Sequence, residues 1–385
     1  MSEVIDQVAL KKSAIDEIHH ELGAQMVERD GWSVPASYCE KIAEYASVRE
    51  GGVGLIDLSS RGRFMIGGSE AVQFLNGLIT NDMKTLEENR WMPATFPNVQ
   101  GRLIASVRVM RFENVQSDRN VCPAFLIDTE AATHERVFKT IERFTHAGDF
   151  RVTDVTSTTA HLTVQGPKVD SLMAMLIGED ASQLDPNGLI QTLWQETEVT
   201  VVRSTHTGAN GFDLIINAEH AARLWSALLE AGAQPVGHDT LEVLRIEAGI
   251  PRYEIDIDET NVVSETSLDD AVSYTKGCYV GQEIIARIKY RGHVAKKLTG
   301  LIFESEIPIK AGANISSIEG KEIGRITSTT FSPRLKQTLA LAFLKYDYLQ
   351  PGTEVTVETE DGPTPARVTT LPFVSDFQQT ENHGA

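Results

Sequence analysis

Apolar side chains recur along the first thirty residues at the spacing of an α-helix, with intervals of seven, three, four and four residues. The positions concerned are Val8, Ile15, Ile18, Leu22 and Met26. Because such intervals place side chains on one helix face, the pattern predicts a helical, acidic N-terminal extension over residues 1–36. A second helix is predicted over residues 38–50, and it ends before Gly51 and Gly52.

Strand and helix patterns alternate through the middle of the chain. The pattern first predicts strands at 63–66 and 103–112 and a helix that stops at Gly148. The order over residues 161–232 is then strand, helix, two strands and helix. This β-α-β-β-α order is typical of a split βαβ, ferredoxin-like unit, so the fold class predicted is α+β.

The pattern changes after about residue 298 to short strands separated by turn signals. The signals are Glu319-Gly320, Pro351-Gly352 and Asp361-Gly362. Spacings of roughly 8–12 residues between turns predict a small antiparallel β-barrel or sandwich over residues 298–374. The polar residues 375–385 are predicted to form a frayed tail.

The chain is acidic, with 54 Asp and Glu residues against 35 Lys and Arg, and its net charge is −19. Nucleic-acid-binding proteins normally show a basic footprint, so we expect no nucleic acid among the partners. The apolar runs extend to about seven residues, against roughly 20 for a bilayer-spanning helix, and we expect no membrane association. The N-terminus has neither the pattern of a signal peptide nor that of a transit peptide, which favours a cytoplasmic location.

Three widely spaced cysteines, Cys39, Cys122 and Cys278, form no C-x-x-C pair. This spacing disfavours a disulfide framework and a self-contained zinc site, and it is typical of a reducing compartment. No metal site is therefore predicted. The sequence also lacks the Rossmann, P-loop, zinc-protease and nucleophile-elbow motifs.

Residues 276–283, K-G-C-Y-V-G-Q-E, carry the strongest chemical signals. The glycines beside Cys278 permit positive φ angles or close approach of a ligand. A helix is predicted to follow, and Lys276 lies two residues before the thiol; a helix N-terminus and a cation both lower a thiol pKa. These features favour a catalytic thiol at Cys278 with Lys276 beside it. A lone cysteine is more often a small buried apolar residue, and the residues alone leave both interpretations open.

The same segment opens a basic run within the acidic chain. Between positions 276 and 297 there are six basic residues and one acidic residue, Glu283, which is a local charge of +5. This concentration of charge favours an anionic ligand, such as a carboxylate tail, or an acidic partner.

The segment 276–283 resembles the K-G-C-[FY]-x-G-Q-E signature of the YgfZ family. Its members are tetrahydrofolate-binding relatives of the glycine-cleavage T protein and are implicated in maintaining iron–sulfur enzymes. Resemblance to the wider superfamily extends from about residue 54 to 373, and no family counterpart is assigned to residues 1 to about 36. The further segments that resemble superfamily motifs are 75–82, 165–167, 244–249 and 324–333.

The resemblance implies a three-domain ring of the T-protein type. Two intertwined α+β domains would form a folate-binding region over 37–297, the C-terminal barrel would follow, and tetrahydrofolate or a one-carbon derivative would lie in a central hole. Asp213 occupies the position of a glutamate that contacts the pterin, and its carboxylate can still accept hydrogen bonds there. The folate-contacting residues that the resemblance implies are Asp213, Arg245, Asn98 and Gln282.

The chain departs from the aminomethyltransferase branch at one motif. The T proteins carry G-G-x-x-D-D, whereas residues 101–106 here read G-R-L-I-A-S, so Ala105 and Ser106 replace both acids. Without a carboxylate there, a cationic methylene-transfer intermediate is hard to stabilise. Residues 98–102 instead resemble the iron–sulfur branch. Ala209 and Asn210 also replace an acidic pair of the T proteins.

Three functions follow as hypotheses. The leading one is a tetrahydrofolate-binding accessory protein for the assembly or repair of iron–sulfur proteins, with those client proteins as partners. The alternative is a folate-dependent aminomethyl or methyl transferase, in which Cys278 or another group replaces the lost acids. The third is a ligand-free interaction scaffold, because a fold alone does not fix a function.

Overall fold

The computed structural model describes residues 9–116, 121–304 and 306–376. The described residues form nine α-helices, which are α1 (Asp16–Glu21), α2 (Lys41–Arg49), α3 (Ala71–Leu78), α4 (His134–Glu142), α5 (Val169–Leu176), α6 (Glu179–Ser182), α7 (Ala221–Glu230), α8 (His238–Glu247) and α9 (Gln282–Arg291). None of them is long and apolar enough to cross a bilayer. Residues 1–8 of the predicted extension and 377–385 of the predicted tail lie outside the described residues.

The strands of the described part belong to two open sheets, one closed barrel and two hairpins. They are β1 (Gln25–Arg29), β2 (Trp32–Ser37), β3 (Gly54–Asp57), β4 (Gly62–Gly67), β5 (Arg90–Pro97), β6 (Leu103–Arg111), β7 (Val115–Gln116), β8 (Val121–Cys122), β9 (Ala124–Thr129), β10 (Arg151–Asp154), β11 (Thr159–Gln165), β12 (Leu189–Trp194), β13 (Thr197–Arg203), β14 (Gly211–Asn217), β15 (Gln234–Pro235), β16 (Lys296–Ile302), β17 (Asn314–Ser317), β18 (Glu322–Ser332), β19 (Gln337–Lys345), β20 (Glu354–Thr359) and β21 (Gly362–Thr369).

The N-terminal segment differs from its prediction, because only α1 is helical and a β1–β2 hairpin follows it. Gly23 ends the first helix in the left-handed region, at a φ of 76°, which a glycine adopts without strain. Trp32, Val34 and Ala36, which share one face of β2, are then buried, and Pro35 between the last two is buried as well. The period of four at Leu22 and Met26 was therefore misleading, and packing of the hairpin against the body decides the structure.

An antiparallel sheet and a mixed sheet face each other across the middle of the protein. The five-stranded sheet has the order β10-β4-β9-β6-β5, and the six-stranded sheet has the order β12-β13-β14-β11-β3-β15. Helices α3 and α4 cover the outer face of the first sheet, and α5 and α7 cover that of the second. The inner faces meet through apolar residues on both sides, among them Met110, Leu126, Val202 and Ile215.

Strand alternation fixes which polar side chains enter the space between the sheets. Successive side chains of a strand point to opposite faces, so a residue two positions from an inner-face residue shares its face. Arg108 thus lies on the face of Met110, Asp128 on that of Leu126, and Asp213 on that of Ile215. Three charged groups are therefore brought between two apolar layers.

The C-terminal strands close a six-stranded antiparallel barrel with the order β16-β19-β18-β17-β20-β21. This confirms the barrel predicted from the turn spacing. Gly324 permits close pairing of β18 with β19, because a Cβ there would lie 2.1 Å from the carbonyl oxygen of Phe343. The pairing register of β18 with β19 shifts between Ile326 and Ser328, as at a β-bulge.

Candidate functional site

A cavity of about 150 Å³ lies between helix α8, the tip of the β1–β2 hairpin and the loops around residues 60, 206 and 251. Its apolar wall includes Leu58, Leu241 and Ile250. Concave sites with an apolar wall and a few convergent polar groups are the usual form of small-molecule sites. The charged residues that line it are Arg29, Asp30, Arg61, Glu130, Glu242, Arg245 and Arg252.

Asp213 lies behind this cavity in a buried ionic cluster. Arg108 Nη1 is 2.7 Å from Asp213 Oδ2, and the Nε of Arg108 donates to Asp128 Oδ2 at 2.8 Å. Arg61 forms a two-pronged pair with the other side of Asp128. Burial alone would raise the pKa of Asp213, but His206, Arg108 and the neighbouring His161 hold it well below its usual value. The side chain is fully buried, so the structure gives it no direct contact with the cavity.

His206 is the residue that separates Asp213 from the cavity. Its ring lines the cavity, and its Nε2 lies 3.0 and 3.2 Å from the two carboxylate oxygens of Asp213. Burial lowers the pKa of His206 to about 4, so the ring is neutral near pH 7. A neutral imidazole at a cavity wall offers one hydrogen-bond donor and one acceptor.

Arg245 joins the cavity to the barrel. Its Nη1 donates to Asp256 and to the carbonyl of Ile250, and its Nη2 donates to Glu242 and to Ser328 on β18. Its Nε is buried without a partner among the described residues, as is the Nε of Arg252. Two guanidinium groups at the wall thus keep an unsatisfied donor.

The last turn of α8 makes a second contact with the barrel. The Oε1 of Glu247 accepts hydrogen bonds from Ser332 on β18 and from Tyr45 on α2, and Arg49 pairs with Oε2 at 2.9 Å. Both side chains of the Arg49–Glu247 pair are nearly fully buried. The C-terminal end of helix α8 is therefore bonded to the barrel, and one face of the helix lines the cavity.

Glu130 supplies a carboxyl group to the cavity. It follows β9, and its Oε2 accepts a hydrogen bond from the backbone N–H of Tyr253 at 3.1 Å. Burial raises its pKa above the usual glutamate value. Perturbed carboxyl groups in clefts are candidates for functional roles, and Glu130 meets both conditions.

The ammonium group of Lys276 is bound by backbone carbonyls and has a structural role. Its Nζ donates to the carbonyl oxygens of Asn76, Ile79 and Asn81 at 2.7, 2.9 and 2.6 Å, at the C-terminal end of α3. A cation there satisfies carbonyls that the helix leaves without partners. Burial lowers the pKa of Lys276 to about 8.

Cys278 is exposed, as is Cys39, and it is not among the residues that line the cavity. The loop before α9 packs on residues 98–101: a Cβ at Gly281, whose φ is 78°, would lie 2.4 Å from the carbonyl oxygen of Asn98. Gln282 donates weakly to the carbonyls of Lys276 and Gly277, at 3.4 and 3.3 Å. Gly281 therefore serves close backbone packing, whereas a Cβ at Gly277 would meet no atom within 4 Å.

The residues predicted from the sequence fall into two separate groups. Asp213 and Arg245 lie at or behind the cavity, whereas Asn98, Gln282, Lys276 and Cys278 surround the loop before α9. Strand β6 connects the groups, since Gly101 contacts α9 just before the strand and Arg108 lies far along it. Seven residues of extended chain span roughly 20 Å. The structure therefore does not bring Cys278 and Asp213 into one site.

The sequence prediction missed His206, Glu130, Glu242 and Arg252. A signal for His206 existed, because it stands just before the turn that precedes Asp213. Glu242 lies three residues before Arg245, a spacing that places both on one helix face. Glu130 and Arg252 lie in loops, where no periodicity indicates a direction.

The ligand atoms of His161, His206 and Asp213 lie within 4.8 Å of one another, a spacing that a metal ion would fit. Arg108 already neutralises the carboxylate, however, and a divalent cation would add buried positive charge without compensation. The charges around this group thus disfavour a metal.

The chain matches two sequence models, one on each side of residues 277–295. Residues 15–276 match the model described as "GCVT N-terminal domain", and residues 296–375 match "Glycine cleavage T-protein C-terminal barrel domain". The first match begins at residue 15, so the prediction that residues 1 to about 36 have no family counterpart was wrong for residues 15–36. The domain boundaries themselves stay predictions.

Two curated relatives and one solved structure show the similarity over nearly the whole chain. An aminomethyltransferase of Symbiobacterium thermophilum is 31% identical over 377 residues, with 95% of this chain and 97% of that protein covered. One from Rubrobacter xylanophilus is 31% identical over 379 residues, covering 98% and 97%. The crystal structure of aminomethyltransferase T from Bartonella henselae matches with a TM-score of 0.85 at 24% identity, over 95% of this chain and 98% of that one. This likeness confirms the predicted fold class, and none of the matches singles out the YgfZ branch.

Proposed function

Because this chain belongs to the glycine-cleavage T-protein family, we propose that it binds a reduced folate in the cavity beside α8 and takes part in one-carbon transfer. The observation that carries the proposal is the set of unsatisfied polar groups at the cavity wall. The Nε atoms of Arg245 and Arg252 are buried without partners, and a buried polar group left unpaired is costly. A ligand with several acceptors would satisfy them.

The residues of the cavity fit tetrahydrofolate or a one-carbon derivative. Arg245 and Arg252 would donate hydrogen bonds to oxygen or nitrogen acceptors of the ligand, and Glu130 would accept from amino or ring N–H groups. Asp213, which the resemblance assigns to the pterin, would act from behind His206. Asn98 and Gln282 belong to the other group of residues, and their assignment to the folate stays a prediction.

A reduced folate supplies nitrogen atoms that accept or release a one-carbon unit. Glu130 is the group of this chain suited to hold or exchange a proton beside such a ligand, because burial raises its pKa toward the working range. Ala105 lies in the apolar core of the five-stranded sheet, on the face away from Arg108. We therefore expect Glu130, and neither position 105 nor 106, to provide the carboxylate needed by a transferase.

Calorimetry with tetrahydrofolate under anaerobic conditions tests the binding, and a turnover assay with methylated or aminomethylated amines tests the transfer. We expect saturable binding, and we expect Glu130→Gln to lower turnover more than affinity. The exposed Glu135→Gln, five residues along the chain, is the matched control. Absence of binding by the unmodified protein would contradict the proposal, and release of ammonia from an aminomethylated carrier protein would extend it to glycine cleavage.

The exposed thiol of Cys278 favours a second candidate function, in maintaining iron–sulfur proteins. A thiol in the K-G-C-Y-V-G-Q-E loop is accessible to a client protein, and the sequence resembles that of the iron–sulfur branch. Cys278→Ser should then reduce the activity of iron–sulfur enzymes in cells that depend on this protein. Cys39→Ser, which changes another exposed thiol, is the control. Equal enzyme activities with both variants would exclude a role of the Cys278 sulfur.

A further inference from the structure

Within the part of the chain that the structure describes, His206 is the cavity-lining residue that contacts Asp213 directly. Asp213 has no exposed surface and does not line the cavity. His206, in contrast, contacts Asp213 and lines the cavity. The chemistry available to a ligand at this wall is therefore that of an imidazole.

The bond to Asp213 fixes which nitrogen of His206 carries the proton. An ionised carboxylate only accepts hydrogen bonds, so the Nε2 that faces it at 3.0 Å must be the donor. In a neutral imidazole the other nitrogen, Nδ1, then carries the lone pair. Nδ1 makes no hydrogen bond to any residue of the described ranges. An unused acceptor is thus held at the cavity wall.

Burial, more than the surrounding charges, keeps the ring of His206 neutral. Burial lowers its pKa most; Asp213 opposes this, and the positive charges of Arg108 and Arg61 reinforce it. The other ionisable groups that surround the ring or share its cavity are Arg29, Asp30, Asp128, Glu130, His161, His238, Glu242, Arg245 and Arg252.

A buried glutamine holds the loop that carries His206. The side-chain oxygen of Gln165 accepts from the backbone N–H of His206 at 3.2 Å and from the hydroxyls of Thr205 and Thr207 at 3.3 and 3.1 Å. Its Nε2 donates to Thr163 on the same strand at 2.8 Å. The backbone and the ring of His206 are thus both fixed before any ligand enters, which lowers the entropic cost of binding.

We infer that His206 determines ligand specificity in this cavity: its Nδ1 accepts a hydrogen bond from an N–H group of the ligand, and Asp213 acts as a positioning residue that selects the tautomer. The ligand class is a heterocycle or amine with an N–H donor. This inference rests on the proposed function, in which the ligand is a reduced folate. A ligand that offers only acceptors at this position is rejected, because two lone pairs would then face each other.

Calorimetry with tetrahydrofolate compares the unmodified protein with three variants. His206→Phe keeps a planar ring but removes the acceptor, and we expect about 5- to 100-fold weaker binding. His206→Asn returns an oxygen acceptor near the position of Nδ1 and should recover part of the loss. His146→Phe makes the same chemical change on an exposed residue and should bind as the unmodified protein does. Unchanged affinity in His206→Phe, with an unchanged melting temperature, overturns the inference.

Nitrogen NMR of ¹⁵N-histidine-labelled protein tests the tautomer without any ligand. We expect the His206 ring to remain neutral from pH 8 to pH 5.5, with the proton on Nε2, and to lose this preference in Asp213→Asn. A proton on Nδ1, a charged ring at pH 6, or a Zn²⁺ ion bound through Nε2 would each overturn the inference. If the unmodified protein fails to bind tetrahydrofolate, the proposed function falls, and the NMR result still decides the state of His206.

Discussion

The ionic cluster around Asp213 and the pocket of Lys276 both hold charge away from water, but they use different partners. In the cluster, Arg108 is shared between two carboxylates that come from different strands and sheets. In the pocket, one ammonium group meets three backbone carbonyls at a helix end. The cluster depends on the mutual packing of two sheets, whereas the pocket depends on one helix and one loop.

The two regions therefore have different roles: the cluster bears on the cavity, and the Lys276 pocket holds the structure together. The cluster contacts the neutral imidazole of His206, which lines the cavity. The cluster therefore positions a side chain at a place where a ligand can bind. The Lys276 pocket ends in an exposed loop, and the ammonium group is fully used in holding that loop on α3. Lys276 therefore acts as a structural residue in this fold, and the thiol two residues later is left to itself.

The largest effect is expected from a substitution at Arg108. Arg108→Met should lower the free energy of unfolding by about 3–5 kcal/mol, because it leaves two buried carboxylates without their shared cation. Urea unfolding measures the change. Arg287→Met, on the exposed face of α9, is the matched control and should leave the midpoint nearly unchanged. A loss below about 1 kcal/mol for Arg108→Met would show that the cluster tolerates unpaired charge.

Acid should weaken the cavity region before it weakens the Lys276 pocket. Burial lowers the pKa values of His206 and His238 to about 4, while in the unfolded chain a histidine titrates near 6.5. The unfolded chain therefore binds more protons below pH 6.5, and the free energy of unfolding falls by about 1.4 kcal/mol per histidine between pH 7 and 5.5.

Unfolding curves at these two pH values measure that loss, which should be about 3 kcal/mol for the pair. Asp213 does not contribute in this window, because the stability that a carboxylate with a lowered pKa provides is lost only below about pH 4. The double variant His206→Phe with His238→Phe should flatten the dependence. A flat profile in the unmodified protein would mean that both rings bind protons as readily in the folded protein as in the unfolded chain.

Removal of the ammonium group of Lys276 tests whether this residue affects stability but not ligand binding. Lys276→Met should cost about 2 kcal/mol of unfolding free energy, because three carbonyls lose a charged donor. The affinity for tetrahydrofolate should stay unchanged, since the cavity does not include this residue. A loss of ligand affinity with intact stability would reverse the roles of the two regions.

The smallest effect is expected at the thiol itself. Cys278→Ser should change the unfolding free energy by less than about 0.5 kcal/mol, because the side chain is exposed and few contacts are lost. A thermal melt of the variant beside Cys39→Ser provides the measurement. A destabilisation comparable to that of Lys276→Met would instead assign Cys278 to the packing of the loop.

The sequence predicted the elements whose signals are local. The barrel follows from turn residues at regular spacing, and the family motifs indicated the fold. The N-terminal hairpin was missed because Leu22 and Met26 continue a helical period that Gly23 interrupts. The prediction placed Lys276 beside Cys278 as an activating cation, since adjacency in sequence does not reveal that its side chain turns toward α3.

The cavity was predicted only in part, for a physical reason. Asp213 and Arg245 were found through motifs, but the partners that decide their roles come from strands and loops distant in sequence. Arg108 reaches Asp213 across two sheets, and Glu130 approaches through the backbone of Tyr253. No periodicity along one chain records which faces of two sheets will meet.

Helix α8 connects the cavity to the barrel. One face of the helix lines the cavity, and its side chains at Arg245 and Glu247 hold Ser328 and Ser332 of β18. A ligand that displaces the helix must also loosen or tighten these bonds. Amide hydrogen exchange along β18 therefore reports on occupancy of the cavity from outside, at strands that the ligand never touches.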